Sequence, residues 1–168
     1  MTEEEKTENL INSILSGVSG DELERECSGV DVNSVGVHGR TPLMIAAFKG
    51  FLDAARVLVR NGASVNTPGY HQLTALHEVA GNGDVAFAEY LLSLGADTEA
   101  ESADGVTPLM CAAVWGDTEV ARLLLEKGAD PNKKAHRGDT AADIAGEKGE
   151  VETANLIESY AAQAKKRT

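Results

Sequence analysis

The stretch GVTPLMCAAVWGDTEVARLLLEKGADPN, residues 105–132, decides the fold. Thr107 followed by Pro108 is typical of a helix start, because threonine caps the first backbone amides and proline fits the first helical position. The short apolar run after them stops at Gly116, a typical helix end. From Asp117 onward, apolar residues recur at steps of three and four, which indicates an amphipathic second helix. We expect Asp117 both to cap that helix and to favour its dipole.

The same pattern recurs along the chain without a gap. Four columns of residues spaced 33 apart hold over four rows, and such self-similarity is the signature of a repeat architecture. The columns are Gly29, Gly62, Gly95 and Gly128; Thr41, Thr74, Thr107 and Thr140; Gly50, Gly83, Gly116 and Gly149; and Ala55, Ala88, Ala121 and Ala154. Each row is therefore predicted to form two short helices and a turn.

These rows resemble ankyrin repeats. The row GRTPLMIAAFKGFLDAARVLVRNGASVN (39–66) and the row at 105–132 match the family pattern almost fully, and the row LTALHEVAGNGDVAFAEYLLSLGADTEA (73–100) departs from it at Ala75. The resemblance covers about residues 34–164. It implies an all-α ankyrin-repeat solenoid of helix-turn-helix units with short β-hairpin-like turns.

The two ends depart from the pattern as a stack requires, because terminal repeats carry a polar outer face. Glu158 stands in a column that otherwise holds Val59, Leu92 and Leu125, which predicts a face turned to water. The predicted organisation is a degenerate N-terminal cap repeat at 1–33, ankyrin repeats at 34–66, 67–99 and 100–132, and a C-terminal capping ankyrin repeat with a basic tail at 133–168.

Composition narrows the function. The 168 residues are 42% hydrophobic, with no apolar run long enough to span a membrane. A net charge of −12 argues against direct binding to nucleic acid or to an anionic membrane. The N-terminus has neither the basic start nor the apolar stretch of a secretory signal. We expect a cytoplasmic location, with the nucleus as an alternative.

The histidines raise the hypothesis of a metal site or of acid–base chemistry. His38 and His71 share a column at two predicted hairpin tips, and His136 lies one place from it. Exposed polar tips are the favoured interpretation, and a weak two-histidine metal site is the alternative. His77 occupies the family's Thr-x-Leu-His position, where the resemblance implies structural hydrogen bonding near the helix start.

The two cysteines are predicted to be reduced and inert. Cys111 lies within a helix that packs the stack, and burial in apolar surroundings raises a thiol pKa. Cys27 has acidic neighbours, Glu24 and Glu26, which disfavour the thiolate. The chain has no nucleophile motif and no phosphate-binding glycine loop. No catalytic, cofactor-binding or metal-ligating residue is predicted, and the chain is not expected to be an enzyme.

Other columns are not fixed by packing. In the ankyrin family, the positions before the threonine and after the alanine pair form hairpin tips and the inner face of the first helices, and they line a concave groove that holds partners. Carried over column by column, the resemblance gives these partner-binding residues: Val37, His38, Arg40, Phe48, Lys49, Tyr70, His71, Leu73, Asn82, Asp104, Val106, Val114, Trp115, His136 and Arg137. The same columns also contain Ala103, Asp139 and Lys148.

Trp115, the single tryptophan, shares its column with Lys49, Asn82 and Lys148. A core position would not accept lysine, so we expect the indole at the surface. Two interpretations remain: the tryptophan meets a partner, or it folds over a neighbouring repeat.

A shallow apolar pocket is a further hypothesis. Phe48, Val114 and Trp115 would outline it around Gly81, with Tyr70 and the histidines at the rim. Gly81 is predicted to lie inside a short helix, where glycine costs about 1 kcal/mol relative to alanine.

The sequence therefore favours a non-catalytic protein–protein interaction module that acts as an adaptor, inhibitor or regulator through its concave groove. It is expected to be monomeric on its own. The alternatives are a purely structural repeat subunit of a larger complex and, least favoured, a small-molecule or metal binder.

Overall fold

The computed structural model describes residues 1–165, so residues 166–168 of the predicted basic tail lie outside it. The chain forms two compact units, Met1–Ala75 and the part from Leu76 onward. The helices are α1 Glu3–Leu15, α2 Gly20–Cys27, α3 Pro42–Lys49, α4 Leu52–Arg60, α5 Ala75–Ala80, α6 Val85–Ser93, α7 Pro108–Trp115, α8 Thr118–Glu126, α9 Ala141–Lys148 and α10 Val151–Lys165, with a 3₁₀ turn at Tyr70–Gln72.

Helix starts repeat with the sequence period. The first helices of the four rows begin at Pro42, Ala75, Pro108 and Ala141, and the second helices begin at Leu52, Val85, Thr118 and Val151. Within residues 1–165 there is no strand, and pairing of the β type is limited to an isolated antiparallel bridge between Lys134 and Thr140. The all-α repeat architecture is therefore confirmed.

The predicted starts and ends of the first helices are observed. The Thr41 hydroxyl accepts a hydrogen bond from the Met44 amide at 3.2 Å, and Thr107 caps α7 in the same way. Gly50 and Gly116 end their helices with φ of 71° and 70°. This left-handed conformation is one that glycine adopts without steric cost.

In the first unit, α1 packs on α3 and α2 packs on α4. Leu10, Ile11 and Ile14 of α1 are fully buried, so the degenerate first row still supplies an apolar face. Helix α1 begins well before that face because Thr2 and Glu5 form a reciprocal capping box, with each side chain bonded to the other's backbone amide. The apolar pattern alone did not indicate this start.

In the second unit, first helices pack on first helices and second on second: α7 contacts α9, and α8 contacts both α6 and α10. Phe87, Leu91 and Leu124 are fully buried between them. Towards the C-terminus, Glu158 is exposed, whereas Leu125 in the preceding row is buried. The fourth row therefore exposes a polar side chain at a position where the third row buries an apolar one.

Gly81 does not lie inside a helix, contrary to the prediction. Helix α5 ends at Ala80, and Gly81 belongs to the turn that follows. The corresponding helices α3, α7 and α9 each have 8 residues, whereas α5 has 6. Gly81 and Asn82, both poor helix formers, replace the last two helical residues of the other rows.

Asp117 does not cap α8 with its side chain, which corrects a second expectation. It occupies the position before the helix, but its carboxylate makes no capping hydrogen bond. In the preceding row, Asp84 does cap α6, because its carboxylate accepts from the Phe87 amide at 3.0 Å. The Asp117 side chain is instead directed toward the turn at Gly83.

Adjacent rows are joined by polar side chains at the end of each repeat. In the first unit, the Asn33 amide donates to the Gly62 carbonyl at 2.9 Å and accepts from the Ser64 amide at 2.8 Å. In the second unit, Glu99 stands in a column that otherwise holds Asn33, Asn66 and Asn132, and its carboxylate accepts from the Asp130 amide at 2.9 Å. Lys133 neutralises this acid at 3.3 Å.

One turn holds a backbone conformation that its residue does not favour. The left-handed position of the hairpin turns is glycine at Gly39, Gly105 and Gly138, but the equivalent residue of the second row is Gln72, with φ of 59°. A residue with a Cβ atom pays roughly 1–2 kcal/mol in this region, and glycine does not.

We predict that Gln72→Gly raises the free energy of unfolding of the first unit. The expected gain is about 1 kcal/mol, because relief of the strained conformation exceeds the added entropy of glycine in the unfolded chain. Urea titration followed by far-ultraviolet circular dichroism measures it. Gln72→Ala is the matched control, since it removes the same side chain but keeps the Cβ atom. An equal gain from both variants would contradict the backbone explanation.

Candidate functional site

The turns of the first unit are short hydrogen-bonded hairpins. The Gly36 amide donates to the Arg40 carbonyl at 3.0 Å, and the Gly69 amide donates to the Leu73 carbonyl at 2.8 Å. The two turns are joined by a bond of 2.8 Å from the Tyr70 amide to the Gly39 carbonyl. The Tyr70 ring lies directly on Gly39, where an added methyl group would come within 2.5 Å of the ring.

The second unit repeats this arrangement. Bonds of 2.9 Å and 3.0 Å close the turns from Ser102 to Val106 and from Ala135 to Asp139. The His136 amide donates to the Asp104 carbonyl at 3.0 Å. The His136 ring lies against Gly105, as Tyr70 lies on Gly39 in the first unit. In both units, glycine therefore allows a ring from the next turn to approach the backbone closely.

Most residues of the predicted partner-binding set are exposed. The largest apolar ones are strongly so, with exposed fractions of 56% for Val37, 50% for Phe48, 62% for Tyr70 and 67% for Trp115. The exposed polar members are His38, Lys49, His71, Asn82, Asp104, His136 and Arg137. The half-buried members are Arg40, Leu73, Val106 and Val114.

Phe48 lies in a cationic environment. The Arg40 guanidinium carbon is 5.0 Å from the centre of the ring, and the Lys49 ammonium is 5.7 Å from it. Both distances are within the range of a cation–π interaction. The ring is thus held by two cations of its own unit while half of its surface remains accessible.

Trp115 lies at the end of α7 and rests on the shortened neighbouring row. Its indole nitrogen is 3.5 Å from the position that a Cβ atom of Gly81 would occupy. The side chain therefore contacts the neighbouring repeat, as expected if the tryptophan folds over it. It remains two-thirds exposed, as the other interpretation requires.

Two carboxylates lie beside Trp115, and sequence reasoning missed them as a pair. The Asp117 carboxylate lies against Gly83, and the Glu150 carboxylate lies against Gly116, the residue between Trp115 and Asp117. Partial burial and repulsion from Glu150 raise the pKa of Asp117 above its ordinary range. The available signal was a column of acids, Asp84, Asp117 and Glu150, that follows the column of helix-ending glycines.

The predicted apolar pocket draws residues from both units. Phe48 and Tyr70 belong to the first unit, and Gly81, Val114 and Trp115 belong to the second. Within the second unit, Trp115 and Gly81 are in contact distance. The pocket as a whole stays a prediction.

The histidines divide into one buried ring and three exposed rings. His77 is buried, and its Nε2 donates to the Val106 carbonyl at 3.0 Å, in agreement with the structural role that the resemblance implied. Burial lowers the pKa of His77 below its ordinary value of 6.5, against the opposing effect of its backbone hydrogen bonds. In the described part of the chain, no group of three or more histidine, cysteine or acidic side chains is placed to hold a metal ion.

Both cysteines are unbridged, and burial governs their chemistry. Desolvation, with added repulsion from Glu24 and Glu26, raises the pKa of Cys27 to about 11. Desolvation, with added repulsion from Glu78, raises the pKa of Cys111 to about 12. These shifts agree with the prediction that neither thiol is an activated nucleophile.

Comparison with known families agrees with the repeat fold described above. A family model of three ankyrin repeats matches residues 76–167, more than half of the chain, and a single ankyrin repeat matches residues 38–70. The chain belongs to the ankyrin repeat family. This ankyrin repeat protein has no match among the curated proteins. Ankyrin repeats are generally protein–protein interaction modules and are typically non-catalytic. No helix within residues 1–165 is both long and apolar enough to cross a membrane.

The lowered pKa of the buried His77 predicts that the free energy of unfolding depends on pH. Because folding lowers the pKa of His77, the unfolded chain binds a proton first as the pH falls through about 6.5, and the free energy of unfolding decreases. Urea titrations at decreasing pH, followed by Trp115 fluorescence, should show this loss. His77→Gln should reduce the pH dependence, and His38→Gln, at an exposed ring, should preserve it. A loss of equal size in His77→Gln would refute the assignment.

The raised pKa values of both cysteines predict slow thiol–disulfide exchange. A rise in pKa from 9.0 to about 11 lowers the thiolate fraction of Cys27 near pH 8 by roughly a hundredfold, and Cys111 is shifted further. Reaction with a disulfide reagent should therefore be slow in the native protein and fast in urea. Cys27→Ser and Cys111→Ser assign each rate. A native thiol that reacts at its unfolded rate would contradict the burial argument.

Proposed function

We propose that the protein binds another protein through the hairpin tips and the exposed ends of its first helices, which would form a concave groove. The observation that supports this proposal is the exposure of Val37, Phe48, Tyr70 and Trp115. Large aromatic side chains that are rigid and half accessible are the usual anchors of protein interfaces. A polar spacer would have no need of them in these columns.

The repeat scaffold exposes the aromatic positions of the proposed site and keeps the neighbouring core residues buried. The residues just before them, Ala46 and Ala47 in one row and Ala112 and Ala113 in another, are completely buried. The next two residues in each row reach the surface and can vary in chemistry. The repeat thus fixes the backbone of the proposed site and leaves its side chains to recognition.

The rest of the proposal follows from this organisation. Residues 1–33 would act as an N-terminal cap repeat and residues 133–168 as the C-terminal cap. The repeats would act as an adaptor, inhibitor or regulator by occupying or bridging partners. A location in the cytoplasm, with both thiols reduced, and a monomeric free state are part of the same proposal.

Affinity capture from host lysate tests the proposal. Phe48→Ala/Trp115→Ala should lose specific partners, because removal of an interface anchor typically costs at least about 2 kcal/mol, or roughly thirtyfold in affinity. Leu94→Ala/Val151→Ala is the matched control, since it removes two exposed apolar side chains outside the proposed site. Thermal unfolding of both variants should stay near that of wild type.

Two results would overturn the proposal. Identical captures by wild type and the Phe48→Ala/Trp115→Ala variant would show that binding uses another surface. A large fall in melting temperature together with normal partner binding would show that these aromatic side chains serve the fold alone.

A further inference from the structure

Three side chains converge at one corner of the second unit, where α7 meets the turn to α8. The Trp115 indole rests on Gly81, and the Asp117 carboxylate rests on Gly83, two residues further along the same turn. The Glu150 carboxylate lies on Gly116, between the other two in sequence. Residues two apart are separated by at most about 7 Å, so the glycines under the indole and under the Asp117 carboxylate are close together, and Glu150 is near enough to repel Asp117. We call Trp115, Asp117 and Glu150 the Trp115 patch.

Neither acid of the Trp115 patch is paired with a cationic side chain in the part of the chain that the structure describes. The two acids repel each other, which contributes to the raised pKa of Asp117. The folded state therefore keeps two anionic groups together beside an exposed aromatic face.

We propose that the Trp115 patch binds an arginine side chain of the partner protein, with the guanidinium stacked on the indole and paired with the two carboxylates. This inference rests on the proposed function and specifies the chemistry of the partner. Tryptophan is the best aromatic acceptor for a cation–π interaction. A guanidinium is planar, stacks on aromatic rings and donates several hydrogen bonds to carboxylates, whereas an ammonium is compact and strongly hydrated.

Glycines of the preceding rows make room for the two acids. An added methyl group at Gly83 would collide with the Asp117 carboxylate, and one at Gly116 would collide with the Glu150 carboxylate. An incoming arginine would replace the repulsion between the acids by attraction to both. It would also cover an indole that is now two-thirds exposed.

Paired peptide arrays test the site directly. The probes are acetylated and amidated nonapeptides with a central arginine and randomised flanks that lack tryptophan. Each is compared with the same peptide carrying lysine or citrulline, a neutral isostere of arginine, at the central position. Peptides that bind are then titrated in solution. The emission of Trp115, the single tryptophan of the chain, reports occupancy of the patch itself.

We expect arginine peptides to shift the Trp115 emission and to bind roughly tenfold more tightly than the matching citrulline or lysine peptides. The affinity of the arginine peptides should decrease at higher salt. Asp117→Asn/Glu150→Gln should lose a similar factor. Glu126→Gln/Glu158→Gln is the matched control, because it removes two exposed acids of α8 and α10 with the same change in charge. Glu150→Gln alone serves as a milder variant if the double change alters folding.

Three outcomes would overturn the inference. They are the absence of any arginine peptide that binds and shifts the Trp115 emission, equal binding of arginine, lysine and citrulline peptides, and unchanged binding in the Asp117→Asn/Glu150→Gln variant. The proposed function is tested separately by the captured partners. Partners lost from the Trp115→Ala background but retained by Asp117→Asn/Glu150→Gln would sustain the interface and reject the arginine site.

Discussion

The structure depends on how closely the first helices of adjacent rows can approach each other. Ala46 and Ala47 in α3 and Ala112 and Ala113 in α7 have no exposed surface, and each helix packs on the first helix of another row in its unit. Larger side chains at these positions would separate the rows and open voids in a densely packed interior. The packing constraint ends after the second alanine. The next two residues can therefore be large, aromatic and exposed.

Local chemistry explains how much of the fold could be predicted from the sequence. Thr41 and Thr107 cap helices, and Gly50 and Gly116 end them, because both functions require only neighbouring backbone atoms. Asp117 was predicted wrongly for the opposite reason, because its side chain lies against Gly83 of the neighbouring row and does not cap α8. The length of α5 is a local effect, since the adjacent poor helix formers Gly81 and Asn82 end it early.

The candidate site was likewise predictable only in part. The column pattern predicted that Trp115 reaches the surface, since its column also holds lysine and asparagine, and the family resemblance placed Phe48 among the partner-binding positions. Neither predicted their electrostatic surroundings, which come from residues brought together by folding. Phe48 lies beside Arg40 and Lys49, whereas Trp115 lies beside two acids from different rows. Similar aromatic positions in the two units therefore offer opposite charge to a partner.

A comparison within the second unit separates structural acids from the acids of the Trp115 patch. Glu99 also departs from its column, but its carboxylate accepts a backbone hydrogen bond and is neutralised by Lys133. The acid at that position thus contributes to the joint between repeats. Asp117 caps no helix, pairs with no cation in the described chain and is repelled by Glu150. Burial and repulsion thus disfavour the charge of Asp117 in the folded state, and the proposed arginine of a partner would supply the compensating attraction.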